Sequence, residues 1–336
     1  MTRTNFGNLT GRDLEGFHTG GDTEAWRRLG SHVVEVQDPT RGALRGTRFA
    51  VWAPNARRVQ VMGDFNWWQG DDMELVPGSG VWALWKEDVL EGTQYKYKIQ
   101  HADGTWQEKV DPYAFHSQRP PENASVVWTS RHEWAPSEDE WLARRAAADP
   151  YHSQMSIYEL HLRDFSAADD TVPPELRGTY RAFTVAGSAG VRHLAELARA
   201  GMNTIHLLPT FDIATIPEHR GSQRHPNIPD GAHPASADQQ AAIAEVADHD
   251  AYNWGYDPLH WGAPEGSYAT EGHQDGGARV VEFREMVGAL HDLGLQVVLD
   301  QVYNHTAACG QDPRSVLDRV VPGYYHRLDA VGRVTS

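Results

Sequence analysis

The chain has 336 residues, with 30 Lys plus Arg against 46 Asp plus Glu and a formal charge of −16. That length predicts about two domains, each able to bury a core without disulfide staples, and the acidic balance argues against nucleic acid as a partner. Hydrophobic residues make up 40% and charged residues 23%, a globular composition, and no apolar run approaches the roughly 18 residues of a membrane span.

The opening Met1–Gly7 leads into a polar, Gly-rich stretch with no apolar h-region, which argues against a secretory signal. The single Cys309 cannot form an intrachain disulfide, which fits a reducing compartment. A cytoplasmic location without membrane attachment is the expectation. Ten of the twelve tryptophans precede residue 150 and only Trp254 and Trp261 follow it, a change of texture that marks two domains.

Residues 1–45 read as an N-terminal extension. Over 46–130, Thr47–Ala53, Arg58–Gly63, Val81–Glu87 and Ser125–Trp128 have the look of short strands, and Tyr95, Tyr97 and Ile99 alternate with Lys96 and Lys98 as in a half-buried strand. Gly78-Ser79-Gly80 and Asp103-Gly104 supply turns, the latter a hairpin signal. Together these predict a small antiparallel β-sandwich. Ser137, followed by Glu138, Asp139, Glu140 and an Ala/Arg-rich run that stops before Pro150, predicts an N-capped linker helix within 131–153.

From 154 to 336 strands and helices alternate: Ser156–Leu162 as strand, Val191–Ala200 as helix ending at Gly201, Asn203–Leu208 as strand, Val281–Leu293 as helix ending at Gly294, and Gln296–Asp300 as strand. That order implies parallel strands with crossover helices. The intervening 212–251 is polar and irregular apart from a short helix near Ser236–Asp248 with Ser236 as N-cap, and a loop so long is usually functional or mobile.

In parallel β/α folds the reactive groups lie just past the carboxyl ends of the strands. Here those positions are Asp164, Phe211-Asp212 and the run Asp300-Gln301-Val302-Tyr303-Asn304-His305. The last combines an acid, an amide and an imidazole, and it either binds a hydroxyl-rich ligand or ties down its own loop. Tyr252-Asn253-Trp254-Gly255-Tyr256-Asp257-Pro258 sets aromatic rings beside hydrogen-bonding groups, which suits a sugar or, equally, an aromatic loop plug. Gly63-Asp64-Phe65-Asn66-Trp67-Trp68, with Trp82 and Trp85 nearby, would hold a glycan chain if some indoles share an exposed face. Tryptophan in a sandwich is more often core, so at least half of the ten are expected to be buried. No zinc-ligand spacing, P-loop or dinucleotide fingerprint is present.

With these motifs in hand, the sequence resembles the α-amylase superfamily of glycoside hydrolases over nearly its whole length. Residues 13–157, including Trp26–His32, Gly46–Ala56 and Gly63–Asn66, are similar to the N-terminal carbohydrate-binding sandwich of bacterial glycogen branching enzymes. Met155–Ser166, His206–Asp212, Tyr252–Pro258 and Val320–Arg327 instead resemble type I pullulanases. The resemblance implies an immunoglobulin-like carbohydrate-binding sandwich followed by the first three β/α units of an eight-stranded TIM barrel, left incomplete.

It also implies roles: Tyr256 stacking on the sugar at the cleavage point, Asp300 and His305 holding it, and Trp254, Asp257 and Asn304 belonging to the same binding region. Asn304 supports a calcium site in relatives, for which no full ligand set is evident, and no other cofactor is implied. One departure is Gln301, where the family carries a small or β-branched apolar residue.

Retaining glycosidases of this kind place two carboxylates roughly 5 Å apart across the bond. The family carries them on the fourth and fifth barrel strands, so the nucleophile and acid/base are expected after Ser336. Bottom-up, Asp257 and Asp300 are the pair to nominate, but the resemblance gives both supporting roles. Three functional readings follow: hydrolysis of α-1,6 links in glycogen, starch or pullulan by a longer enzyme, branching by transglycosylation, and α-glucan binding without catalysis. An α-glucan is the expected partner in all three.

Overall fold

The computed structural model describes residues 6–120, 122–129, 132–134, 138–140, 143, 154–275, 277–310, 312 and 314–335. The chain divides into two units, one made of Met1–Thr129, Leu259–Ala263 and Asn304–Ser336, the other of Ser130–Pro258 and Pro264–Tyr303. Most of the linker helix expected over 131–153, including its cap Ser137, lies outside the described residues.

The first unit contains a β-sandwich. One antiparallel sheet runs in the order β1 (Gly30–Asp38), β2 (Gly42–Trp52), β6 (Val81–Glu87), β5 (Glu74–Leu75); the other runs β4 (Asp71–Asp72), β3 (Arg58–Gly63), β7 (Gln94–Gln100), β8 (Trp106–Lys109), with β9 (Ser125–Val126) also paired to β7. Period-two alternation sends Phe49 and Val51 of β2, Val59 and Val61 of β3, and Tyr95, Tyr97 and Ile99 of β7 into one buried cluster. The hydroxyls of Tyr95 and Tyr97 donate to Asp111 Oδ2 at 2.6 and 3.1 Å, which satisfies the phenols inside the core. The β7–β8 turn forms at the expected Asp103-Gly104: Gly104 has φ +92° and Asp103 Oδ1 accepts from Thr105 N at 2.9 Å.

Two boundaries differ from the sequence reading. Residues 1–45 are not an appendage, because β1 pairs with β2 along its whole length, from Gly30↔Ala50 to Asp38↔Gly42. Phe6, Leu9, Leu14 and Leu29 form a second buried cluster with Ala50, Val81 and Ala83. The β2–β6 sheet is therefore covered on both faces, which is why β2 reads as an unbroken buried run from Gly46 to Val51 rather than alternating.

The segment 304–336, expected with the barrel domain, belongs to the first unit. Val320 and Val321 lie in the same buried cluster as Val59 and Ile99, Arg319 Nε donates to Gln107 Oε1 at 2.8 Å, and the Tyr324 ring packs 4.6 Å from Trp52. The tryptophan expectation also fails: among the described residues none is fully buried, the sandwich core being built from Tyr, Phe, Val and Ile. Trp52 and Trp82 instead lie partly buried against that core.

In the second unit β10 (Ile157–Leu160), β11 (Thr204–Leu207) and β14 (Gln296–Leu299) form a parallel sheet in that order, with Ile157, Thr204 and Gln296 in register. Its helices, counted after the single turn α1 (Glu15–His18) of the first unit, are α2 (Leu162–Ala167), α3 (Ala189–Arg199), α4 (Asp238–Ala244) and α5 (Ala278–Asp292). Ser188 caps α3 by accepting from Val191 N at 3.2 Å, and Gly201 and Gly294, at φ +105° and +83°, end α3 and α5 where the sequence placed their stops. Leu160, Ile205 and Leu207 of the sheet meet Leu194, Met286 and Leu290 of the helices, with Tyr180, Phe183 and Tyr268, in one core.

The helix expected over 236–248 is shorter and begins after Ala237, because Ser236 turns back, its N–H donating to His233 O at 2.8 Å, and makes no cap. Two strands absent from the sequence reading, β12 (Phe211–Ile213) and β13 (Pro258–Pro264), flank the long polar loop.

Candidate functional site

The mouth of the parallel sheet in the second unit gathers most of the predicted residues. Leu160 ends β10, and His161 next to it caps α2, its Nδ1 accepting from Asp164 N at 3.3 Å; Asp164, expected at the strand mouth, is thus in the first turn of that helix. The other ring nitrogen, Nε2, lies 2.8 Å from Asn253 O and 3.1 Å from the Tyr268 hydroxyl, so one imidazole ties the start of α2 to the 252–257 loop.

That loop is held from within. Asp250 Oδ1 accepts from Tyr252 N at 2.9 Å and Asn253 Oδ1 from Gly255 N at 2.8 Å, two Asx turns in succession. Asp257 Oδ2 accepts from Thr215 Oγ1 at 2.7 Å, and Asn253 Nδ2 donates to the same Thr215 oxygen at 2.8 Å. Asp257 therefore braces the loop. Gly255 is required: its φ is +89°, and a Cβ there would sit 2.9 Å from Pro209 Cβ and 3.0 Å from Pro209 O.

Pinned in this way, the loop exposes three rings, with Tyr252, Trp254 and Tyr256 at 52%, 57% and 38% of their full accessible area. Trp254 Nε1 donates to the Tyr252 hydroxyl, and the Tyr256 hydroxyl donates to Asp300 Oδ2 at 2.8 Å, just past the end of β14. Burial, then the hydrogen bond and charge of Asp300, push the Tyr256 hydroxyl up to about 12, so it stays protonated and remains the donor. The result is an exposed aromatic face with a carboxylate fixed at its edge. Such a pairing offers a sugar both a surface for its C–H groups and an acceptor for its hydroxyls.

Of the remaining predicted residues, Asn304 and His305 belong to the first unit, where both are exposed. The Gln301 side-chain oxygen is buried without a hydrogen-bond partner among the described residues, a cost consistent with the apolar residue that the family pattern carries there.

Beneath the loop lies a group that sequence reasoning missed. Glu265, fully buried, accepts from Ile213 N at 2.6 Å and Ser267 N at 2.7 Å. Arg279, also fully buried, donates to Glu218 Oε1 at 2.9 Å and lies 3.8 Å from Asp212 Oδ1. Burial, reinforced by the Asp212 charge and opposed by the two backbone donors, pushes Glu265 up to about 7. Burial likewise holds Glu218 above the usual carboxylate range, against the pull of Arg279. Burial works against the Arg279 guanidinium, but the Glu218, Asp212 and Glu265 carboxylates outweigh it and hold its pKa above the usual value.

Asp212, Glu218 and Glu265 are the one carboxylate cluster, among the described residues, tight enough to share a metal ion, and Arg279 already supplies a cation there. Gly266 packs against this cluster so closely that a Cβ would fall 2.2 Å from the Glu218 carboxyl. Asp212 had stood out as a strand-mouth acid. The rest carry no local signal, since Glu218 and Arg279 are 61 residues apart and both lie outside any periodic run.

In the sandwich, Trp67 is 85% exposed and Trp68 half-buried, both with positive φ, +54° and +60°. Asn66 holds the turn by accepting from Gly63 N at 2.9 Å and donating to Val61 O at 3.0 Å. Trp82 and Trp85 do not join them on one face: Trp82 packs against the inter-sheet core and donates to Ala53 O at 3.1 Å, whereas Trp85, three residues on, points to the opposite face of β6.

Residues 28–114 match the carbohydrate-binding module 48 family, the isoamylase N-terminal domain. Over 302 residues the chain is 40% identical to pullulanase 1 of the Arabidopsis thaliana chloroplast, covering 87% of this chain and 31% of that protein. PulA of Klebsiella oxytoca superposes with a TM-score of 0.74 at 35% identity over 87% of this chain and 32% of that one. The chain is pullulanase-like over most of its length.

A second relationship runs through this pullulanase-like chain. It is 59% identical over 162 residues to the 1,4-α-glucan branching enzyme GlgB of Cutibacterium acnes, covering 48% of this chain and 25% of that enzyme. The chain spans about a third of the length of its pullulanase relatives. Among the described residues no helix is long and apolar enough to cross a membrane.

Proposed function

We propose that this chain supplies the sugar-holding part of an enzyme that hydrolyses α-1,6 branch links in α-glucans. One observation carries the reading: the exposed Tyr256 ring, oriented by its hydroxyl on Asp300 and presented by a loop in which every turn is braced. A pullulanase of Klebsiella pneumoniae solved in complex with maltotriose, 34% identical with a TM-score of 0.73, supports an α-glucan as the ligand. On this reading the three parallel strands are the opening part of an eight-stranded β/α barrel.

The chain's own acids are poor candidates for the reacting pair. Asp257 is spent on Thr215 and Asn253, Asp300 on Tyr256, and Glu218 and Glu265 are buried beneath the loop. None of these four acids is therefore assigned as nucleophile or acid/base. Maltotriose titration tests the binding half: Tyr256→Ala weakens binding by roughly 5- to 10-fold through lost ring contact, while Tyr256→Phe, which keeps the ring, stays within a few-fold. Equal affinity in all three proteins removes the assignment. For the activity half, the purified chain releases no reducing sugar from pullulan, and release that survives purification would refute the division of labour.

Branching is the second reading, favoured by the 59% identity to a branching enzyme over 162 residues. A glucan–iodine assay separates the two in an enzyme that contains this chain together with the reacting pair. Branching lowers iodine colour at constant reducing ends, whereas debranching raises reducing ends.

A further inference from the structure

The net charge of −16 makes any concentration of unpaired cations unusual in this molecule, and the first unit has one. A cavity of about 260 Å³ is lined by Lys96 of β7, Lys109 at the end of β8, and Arg314 and Arg319 from the 304–335 segment. Among the described residues that line it, Glu108 is the one carboxylate. Arg314 is paired with Asp312 at 3.3 Å, but Lys96, Lys109 and Arg319 form no ion pair among the described residues. Lys109 is only 2% exposed, and its ammonium donates to nothing stronger than the Glu108 backbone carbonyl at 2.8 Å. Arg319 spends Nε on Gln107 and one terminal nitrogen, at 3.4 Å, on Asp312 O, both neutral acceptors.

A buried lysine without a counter-ion is costly. Burial, then the positive charge of Arg319, with Lys96 adding to it against the opposing pull of Glu108, brings the Lys109 ammonium down to about 7. An anion in the cavity would relieve all three cations at once. Two neutral groups line the same cavity, Asn123 and Ser315, and the buried Ser315 hydroxyl has no hydrogen-bond partner among the described residues. Val110 and Val316 line it as well. The volume lies just below the usual range of ligand sites, which suits a compact anion carrying one sugar ring rather than an extended chain.

We propose that this cavity binds a phosphate monoester of a hexose, with Lys96, Lys109 and Arg319 on the phosphate and Asn123 and Ser315 on neutral oxygens. The ester could be carried by a free hexose phosphate or by a phosphorylated glucose unit within a glucan, and both present the same group to the same cations. The proposal does not depend on the debranching reading, since no residue of the 252–257 loop takes part.

Calorimetric titration of the whole chain at fixed ionic strength, with glucose 6-phosphate, inorganic sulfate and glucose as probes, tests it. The expected result is saturable binding of glucose 6-phosphate, weaker binding of sulfate and none of glucose. Lys96→Ala and Arg319→Gln are each expected to weaken the phosphate ester ~10-fold, the loss of one charge-assisted contact. Lys96 is half-buried on a strand and unpaired, so its variant keeps the fold, which a matching thermal melt verifies.

Retardation in gels containing amylopectin that bears phosphate esters, compared with the same amylopectin after phosphatase treatment, identifies the source. A difference abolished by Lys96→Ala points to the glucan-borne ester, and equal retardation alongside calorimetric binding points to the free one. No saturable binding of the phosphate ester in either format, or binding unchanged in both variants, overturns the proposal.

Discussion

Gly255 and Glu265 each place a local demand on the second unit. Any side chain at 255 meets Pro209 while the backbone is held at φ +89°, so Gly255→Ala is expected to cost ~1–3 kcal/mol, read as a lower urea midpoint at unchanged slope. Glu265 makes a different demand. Its native pKa of about 7 lies above the ordinary 4.5, so the folded state holds the proton more tightly than the unfolded chain does. Stability from this group is therefore fully present below about pH 4.5 and lost as the pH rises through about 7, by up to ~3 kcal/mol. Glu218 is shifted in the same direction and adds to the slope. Urea midpoints measured from pH 4.5 to 8 are expected to decline in the native protein and to decline less in Glu265→Gln. A variant curve parallel to the native one would place the titration elsewhere.

Among the elements, the turn over 64–68 combines two costs that a structural role does not require, namely two successive tryptophans at positive φ and one of them 85% exposed. Backbone strain beside an exposed aromatic is the pattern of a ligand platform. Trp67→Ala is expected to leave thermal stability within ~0.5 kcal/mol, as for surface sites generally, and to abolish retardation in a glycogen gel; unchanged mobility would return the turn to a purely local role. Strand positions were largely legible from sequence, since Arg58–Gly63 and Val81–Glu87 are recovered with the same limits. Strand β1 was not, because its burial pattern mixes exposed and half-buried residues without clean alternation, and the identity of its partner, β2, decides its role.

For the whole molecule, the parallel sheet of the second unit is the point of weakness. Among the described residues β10 and β14 are each paired on one side only, and Ile157 and Leu299 stand 49% and 39% exposed upon them. Parallel strands are ordinarily covered on both faces and extended at their edges. The chain by itself is expected to associate through these strands, and Ile157→Lys to reduce light scattering on concentration without loss of helical signal. The mixed kinship belongs to this scale as well, with a carbohydrate-binding module 48 match over 28–114 and identities of 59% and 40% to a branching enzyme and a pullulanase respectively.

Sequence alone determined the local order of this protein: which stretches alternate, and where Gly201 and Gly294 stop a helix. It also singled out Tyr252–Pro258 and Asp300 as the residues for a sugar. Those properties depend on neighbours two to four positions apart, and chain spacing carries them. Tertiary structure decided which of these residues meet. It joined Tyr256 to Asp300 across 44 residues and Glu218 to Arg279 across 61, turned Asp257 from a candidate acid into a brace, and drew 304–336 into the first unit. Pairings of that kind are set by which buried charges and apolar faces must find partners once water is excluded, and no periodicity in the chain records them.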